Sequence, residues 1–485
     1  MSNLSELLPT GGGQNAVDFV ASGTLSSGQT VVLNSDGTVT AVAATGGPLL
    51  VGTSAVFEAA ALPTSNDTSI VFDPVNNKVV ITYPDAGNSN YGTAIVGTVS
   101  GTSITFGTPV VFFTSAISNT RLVFDSNSNK VVEAHRRTSN LYGYAMVGTV
   151  SGTSISFGFS AIFNYATSYN IEAAFDSNSN KVVISYRNNS NSDYGTAIVG
   201  TVSGTSISYG SPTVFNSAVS VPYGCVFDSS NNKTITAYYD GGNSNYGTAI
   251  VGTVSGTSIS FGTASVFKSA ATLVMNIAFD SLANKTVIAY KPSSPNTVSA
   301  VVGTVSGTSI SFGAEANISG TYSPNRVSVT YDSSANKVVA FFNDDLTSYT
   351  GYASVGAISG TSITFDSPIA FSGVQTYSIV STFDSNANKV VVAYTDAGNS
   401  SYGTAAVVTT SGSNSADFIG ITAEAISDTA TGAVNVYGGI NEAQTGLTIG
   451  SDYYVQNDGS ISTTSSAVKI GQAISATTIN MMDLT

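Results

Sequence analysis

The sequence has no tryptophan, one cysteine and one histidine in 485 residues. A single cysteine, Cys225, permits no intrachain disulfide, so packing and sheet hydrogen bonds must hold the fold. Charge is scarce. Asp, Glu, Lys and Arg make up 9% of the chain, against about 25% in ordinary globular proteins. Basic residues are the rarer sign, 15 against 29 acidic, for a net charge of −14. Phosphate backbones and anionic lipid both demand basic clusters, so neither nucleic acid nor a membrane surface is expected as a partner. No run of about 18 apolar residues occurs, so no membrane insertion is expected. The opening "MSNLSELLPTGGGQ" lacks a basic n-region and a long apolar core, and is read as no signal peptide. Helical periodicity is missing as well, apart from the first eight residues.

What fills the chain is Val, Ile, Thr, Tyr and Phe in short runs, separated by Gly, Asn and Ser. That is the composition of an all-β protein. The string "YGTAIVGTVSGTSI", Tyr91 to Ile104, starts again almost unchanged at Tyr194 and Tyr246. A sharper ruler is an aromatic-Asp pair followed five residues later by Lys. It stands at Asp73/Lys78, Asp125/Lys130, Asp176/Lys181, Asp228/Lys233, Asp280/Lys285, Asp332/Lys337 and Asp384/Lys389, with spacings of 52, 51, 52, 52, 52 and 52. A fixed period of this size with strand signals only predicts a β-propeller, one four-stranded blade per unit.

In the first unit the strands are expected at Ser69–Asp73, Lys78–Tyr83, Tyr91–Val99 and Thr102–Phe112, with a two-residue turn at Ser100-Gly101. The residue before each repeated Asp is Phe or Tyr, and the one before that is Val, Ala or Thr. Large against small suggests interdigitation between blades. The fourth strand carries Gly-x-x-x-x-Phe at Gly107/Phe112, Gly158/Phe163, Gly210/Phe215 and Gly262/Phe267, and in altered form at Gly313/Ile318 and Asp366/Phe371. The seventh unit lacks a fourth strand, whereas an orphan copy, Gly52/Phe57, precedes the first. The expectation is a seven-bladed ring closed by pairing 48–57 with 402–410, which leaves no free sheet edge at the seam.

Residues 1–47 and 411–485 lie outside the repeat. Each holds a hairpin pattern, "GQTVVLNSDGTVTAV" turning at Asp36-Gly37 and "DYYVQNDGSIST" turning at Asp458-Gly459. Because the ring closes on itself, the flanks leave it together. They either meet as the two halves of one small β anchoring domain, with the propeller at 48–410 inserted between them, or form two separate arms.

The tail "SADFIGITAEAIS…TGLTIGSDYYVQNDGSISTT…VKIGQAIS" and the opening "VDFVASGTLSSGQTVVL" resemble segments of virion structural proteins of tailed bacteriophages. The repeat "VGTVSGTSISFG" is similar to repeats in phage appendage proteins. The resemblance implies a phage virion protein used in surface decoration or host adhesion, made in the host cytoplasm and carried on capsid, tail or fibre. Its partners would be other virion proteins and host surface glycans, and its state a homo-oligomer, trimer or higher. No site residue carries over from it. The residues leave two alternatives open, a glycan-acting hydrolase on a propeller scaffold and a bacterial surface adhesin.

No catalytic residue, metal ligand or cofactor site stands out. The turn Ser-x-Asp-x-Gly-x-Thr-Trp of propeller glycosidases is absent. The repeated Asp is expected to order its turn through backbone hydrogen bonds, with Lys adding an exposed pair. Asp125, Asn127 and Asn129 alternate as in a calcium loop, but the bidentate Glu is missing and Lys130 opposes a cation. The repeat breaks most in unit 2. His135 replaces the ring held elsewhere by Tyr83, Tyr186, Tyr238, Tyr290, Phe342 and Tyr394, and Glu133 replaces an apolar residue such as Ile81 or Ile184. Arg136 and Arg137 follow, and Arg121 precedes Asp125 by four. A buried carboxylate needs a partner, so Glu133 is expected to pair with one of these arginines, and the five residues Arg121, Glu133, His135, Arg136 and Arg137 form the candidate carboxylate- or sugar-binding patch. Cys225 is expected to be inert core. The loops "DAGNSNYG" (Asp85–Gly92), "NNSNSDYG" (Asn188–Gly195), "DGGNSNYG" (Asp240–Gly247) and "DAGNSSYG" (Asp396–Gly403) are read as tight turns. "TSAISNT" (Thr114–Thr120) and "NYATSYN" (Asn164–Asn170) are read as variable loops suited to recognition.

Overall fold

A computed structural model describes residues 15–34, 37–42, 49–63, 67–344, 349–410, 418–456, 459–464 and 468–481. The chain divides into two units, one of Met1–Pro48 with Ser411–Thr485 and one of Leu49–Thr410. Among the described residues every regular element is a β-strand or a three-residue 3-10 turn, as an all-β composition demands. The first eight residues lie outside them.

In the larger unit the repeat dictates the strands. The first module has an inner strand Ser69–Asp73, a second strand Lys78–Asp85, a third strand Tyr91–Ser100 and an outer strand that begins at Ser103–Phe106. All pair antiparallel with their chain neighbours. In each of seven modules the inner strand ends with the repeated Asp directly opposite its Lys.

Two details differ from the sequence reading. Ser100 pairs with Ser103, so the hairpin turn is Gly101-Thr102 and not Ser100-Gly101. Gly101 has a φ of +60°, which a II′ turn requires at its first central position. The outer strand also does not stop at Phe112. It runs on into the next module's inner strand as Val110–Asp125, and likewise in Thr213–Asp228, Ser265–Asp280 and Ile369–Asp384. Thr114–Thr120, expected as a loop, is therefore strand, bent by register shifts where the chain passes from one module to the next. In the Asn164–Asn170 stretch only 165–167 lie outside strands.

The second strands are buried on consecutive residues, Val79 to Tyr83 being fully enclosed. That is the signature of a sheet covered on both faces. The covering comes from neighbouring modules. Val80 and Val96 of module 1 pack with Val131 and Met146 of module 2, and the same occurs between each successive pair. Val391, Ala393, Ala405 and Val407 of module 7 pack with Ile70, Phe72, Val79 and Ile81 of module 1. Tyr402–Thr409 pairs antiparallel with Leu50–Val51 and Ala55–Ala61, placing Val408 opposite Val51 and Gly403 opposite Glu58.

The Gly-x-x-x-x-Phe signature has a physical reason at both ends. The Phe packs on the next module's buried ring, as in Phe57–Tyr83 at 5.4 Å, Phe163–Tyr186 at 5.2 Å and Phe215–Tyr238 at 5.2 Å. The Gly lies against the next module's hairpin turn. A Cβ on Gly52, Gly107 or Gly210 would stand 1.8–1.9 Å from the carbonyl oxygen of Thr102, Thr153 or Thr257. The aromatics before the repeated Asp do not all vanish between modules as expected. Phe124, Phe279, Tyr331 and Phe383 are half-buried and line a cavity of about 400 Å³.

The smaller unit draws on both flanks. Ala16–Val20, Thr431–Val436, Phe418–Thr422, Thr30–Leu33 and Val39–Ala41 form one sheet in that order. A second sheet uses the C-terminal flank alone, and one core joins Val32 and Val42 to Phe418, Ile421, Tyr453 and Ile470. Val31 pairs with Ala41 and Val455 with Ile461, on either side of the proposed hairpin turns. Asp36 and Asp458 themselves lie outside the described residues.

Candidate functional site

The five unit-2 candidates do not converge. Their strand positions explain why. Leu122 lies opposite Glu133, and Arg121 opposite Ala134. Residues directly opposite share a face and successive residues alternate, so Arg121 and Glu133 point to opposite sides of the sheet.

Glu133 and His135, two apart on Lys130–Arg137, share one face and bind each other. His135 Nδ1 is 2.7 Å from Glu133 Oε2, and the Thr120 hydroxyl donates to Glu133 Oε1 at 2.8 Å. The Thr82 hydroxyl joins Thr120 at 2.9 Å. All four residues are completely buried, and the imidazole sits among Phe112, Phe113 and Tyr144 at 4.5–5.8 Å. The expected Glu133–Arg pair is thus replaced by Glu133–His135. A carboxylate sealed this way has no access to an outside substrate.

Arg121 instead forks onto Glu172 of module 3, with Nε and Nη2 donating at 2.9 and 2.7 Å. Burial disfavours the cation, but the charge and hydrogen bonds of Glu172 outweigh it and hold the guanidinium pKa above its ordinary value. The pair lines a polar cavity of about 230 Å³ walled by the inner strands of all seven modules, with Ser69, Tyr223, Asn276 and Arg326 among the lining residues. Arg121 acts there as a tie between modules. Ser69 Oγ accepting from Leu122 N, and Asn276 Oδ1 accepting from Val329 N, both at 2.9 Å, do the same elsewhere around the wall. Sequence reading missed Glu172. The signal was present, because Arg121 stands four residues before Asp125 and Glu172 four before Asp176.

Arg136 and Arg137 emerge where the second strand of module 2 reaches solvent. The Arg136 guanidinium lies 4.6 Å from the ring centre of Tyr169, the first aromatic of module 3's inner strand, and its Nε donates to Ser118 Oγ at 3.0 Å. Arg187 approaches the same ring at 5.5 Å. Arg137 donates to Ser115 Oγ at 3.1 Å and lies 6.0 Å from the Phe113 ring. Beside them Tyr142 meets Tyr165 edge-on at 6.0 Å, and Tyr165 is 74% exposed. Arg187 is matched by Asp193 at 2.7 Å, which holds the Asp193 carboxyl below its usual range. Among the described residues neither Arg136 nor Arg137 has a carboxylate partner. Guanidinium forks that lack an internal carboxylate suit an external carboxylate or sulfate, received through paired hydrogen bonds. The Tyr165 ring, largely exposed, offers stacking surface.

The repeated acids have a uniform task. In every module one oxygen accepts two backbone N–H groups of its own turn, as Asp73 Oδ1 does from Val75 and Asn76 at 3.0 Å and Asp384 Oδ1 from Asn386 and Ala387 at 3.0 and 2.8 Å. Asp176, Asp228, Asp280 and Asp332 do the same. The exposed Asp–Lys pair expected in each module is corrected. Among the described residues Lys78, Lys130, Lys181, Lys233, Lys285, Lys337 and Lys389 form no ion pair with Asp73, Asp125, Asp176, Asp228, Asp280, Asp332 or Asp384. The reason is that each carboxylate is buried and committed to its turn amides, although the backbone register sets its Lys directly opposite. The seven lysines are half-buried rather than exposed, with their stems laid along the sheet. Lys130 donates to the Thr149 hydroxyl instead, at 2.9 Å. Asp125 spends its oxygen on Asn127 and Ser128, and no group of three or more His, Cys, Asp or Glu able to hold a metal occurs among the described residues. Cys225 is buried, and that burial pushes its thiol up to about 12.

The sequence matches no protein-family model and no curated protein. Among solved structures, a lectin from Burkholderia pseudomallei is similar to 73% of this chain over 98% of its own, at 13% identity and a TM-score of 0.49. A triple arginine-to-alanine mutant of AofleA from Arthrobotrys oligospora is similar to 67% of this chain over 91% of its own, at 9% identity and a TM-score of 0.44.

Proposed function

We propose that the larger unit is a closed seven-bladed propeller and that the chain is a non-enzymatic glycan-binding protein, which takes acidic sugars at the Arg136–Tyr169 patch. The ring is supported by the core shared between modules 7 and 1 and by the strand pairing of Leu50–Val51 and Ala55–Ala61 with Tyr402–Thr409. The function is carried by one observation. Arg136 lies over Tyr169 at 4.6 Å and, among the described residues, has no carboxylate partner. A uronate or sialate carboxylate fits the guanidinium fork, and the apolar face of its sugar ring fits an aromatic surface. Glycoside hydrolysis needs two carboxyl groups flanking the scissile bond. In this region Glu133 is sealed and Glu172 is committed to Arg121, which supports binding without turnover. A station on a phage particle belongs to the same proposal, supported by the flank and repeat resemblance, and antibody labelling of intact particles tests it.

The binding test is calorimetric titration with tri-galacturonate and sialyllactose, against maltotriose and lactose as neutral controls. The acidic ligands are expected to bind, to weaken as salt rises, and to lose at least about tenfold in affinity in Arg136→Ala/Arg137→Ala, with no reducing ends released. Equal binding of acidic and neutral ligands, or an unaffected double variant, rejects the site.

A further inference from the structure

Arg136 has a counterpart one module on. It follows the ring residue His135 on the second strand of module 2, as Arg187 follows Tyr186 on the second strand of module 3, Lys181–Asn188. The other five modules carry Pro84, Tyr239, Lys291, Asn343 and Thr395 at this place. Both guanidiniums approach the one Tyr169 ring, at 4.6 and 5.5 Å from its centre, so a single oligosaccharide with several carboxylates can reach both. They differ in one respect. Arg136 has no carboxylate partner among the described residues, whereas Arg187 Nη2 donates to Asp193 Oδ2 at 2.7 Å.

Asp193 is an exception of its own. It is the last residue of the loop from second to third strand, with a φ of +62°, and its equivalents Asn90, Leu141, Asn245, Tyr349 and Ser401 have φ between +59° and +64°. Of these six Asp193 alone is acidic. Asn takes up the left-handed conformation as readily as Asp, so the loop itself does not call for a carboxylate. The other oxygen, Oδ1, accepts from Asn189 Nδ2 at 2.9 Å. The Arg187–Asp193 pair is partly open to water, with side chains 29% and 20% exposed, and ion pairs of that kind contribute little to stability. Asp193 also occupies one arm of the fork only. Nη2 donates to it, while Nε has no acceptor among the described residues. The pair therefore lacks the two parallel hydrogen bonds that make an Arg–carboxylate contact strong.

We infer that Arg187 is the second guanidinium of the acidic-sugar site and that Asp193 holds it as an internal stand-in for a ligand carboxylate, so that the site selects glycans with two or more carboxylates over those with one. A monoacid engages Arg136 alone. An oligouronate bound at Arg136 presents its next carboxylate to Arg187 at high effective concentration and displaces Asp193. The inference rests on the reading of the Arg136 patch as an acidic-glycan site and adds its selectivity. It is tested by titrating tri-galacturonate, with three carboxylates, and sialyllactose, with one, into the full chain, Asp193→Asn and the charge-neutral double variant Arg187→Ala/Asp193→Asn. Because modules 1 and 5 already use Asn in this loop position, Asp193→Asn should melt within about 2 °C of the parent. It should bind tri-galacturonate about fivefold tighter or more, and sialyllactose less than about twofold tighter, since only the screened field of one charge has changed. The double variant should bind tri-galacturonate about fivefold more weakly than the parent and sialyllactose within about twofold of it. Unchanged or weaker tri-galacturonate binding in Asp193→Asn overturns the inference. So does an equal gain for both ligands, or a gain that survives the loss of Arg187. In each of these cases the parent still binds acidic sugars and the Arg136 reading stands. If neither ligand binds any form, both fall.

Discussion

At the scale of single residues, unit 2 shows how a repeat tolerates an exception. Glu133 and His135 bring a carboxylate and an imidazole into a core where other modules place Ile and Tyr. Breaking one half of a buried pair costs far more than replacing the whole with apolar residues. Glu133→Ile should therefore lower stability by about 3 kcal/mol. Adding His135→Tyr should restore it to the parent value or above, since Tyr186, Tyr238 and Tyr290 sit at the equivalent position fully buried. Urea unfolding midpoints measure both. A double variant no better than the single would mean that the pair contributes more than its burial costs. The sequence announced that Glu133 and His135 were exceptional, because a repeat supplies its own baseline. It did not announce the partner. Three arginines lay within twelve residues, and only the register of Leu122 against Glu133 shows which face each one takes.

At the scale of elements, strand order and strand starts were legible because each ends at a residue with a fixed local duty. The Asp that accepts two turn amides, the Gly of the hairpin and the Lys that opens the second strand all act within a few residues of themselves. The continuous outer-to-inner strands were not legible. Ser, Thr and Asn in "TSAISNT" read locally as a loop, and only pairing to strands on both sides holds them extended. The glycine of the outer strand belongs to this scale too, since its reason lies in the next module. Gly210→Ala places a Cβ 1.8 Å from Thr257 O and should cost about 2–3 kcal/mol. Asp366 occupies the same slot in module 6, and among the described residues no outer strand follows directly on module 7's third strand, Tyr402–Thr409. Asp366→Ala should change stability by less than about 0.5 kcal/mol. Thermal unfolding of the two variants side by side decides this. Equal effects would detach the glycine rule from the neighbouring turn.

At the scale of the molecule, the proposed closure makes stability depend on every module having two neighbours. The cores lie between modules, so an unclosed array would leave two half-cores and an edge strand open to water. Deleting residues 49–62 removes the strands that pair with Tyr402–Thr409, together with Phe57 over Tyr83. The shortened protein should form soluble aggregates by light scattering and lose its single sharp melting transition. A monodisperse product with an unchanged transition would dissolve the ring. The modular repeat was legible from the Asp–Lys spacing alone. The side chains of the proposed site were only partly so, because Tyr169 looks like an ordinary strand residue until its neighbours across the module boundary are known.

The pairing of Thr409 with Leu50 fixes where the chain enters and leaves the larger unit: side by side, about 5 Å apart. Such a body is a cassette whose two ends adjoin. Another body with adjoining termini could take its place without disturbing the strands that Thr30–Leu33 and Phe418–Thr422 share. The larger unit could then be exchanged wholesale during evolution or by design while the part built from both flanks remained constant.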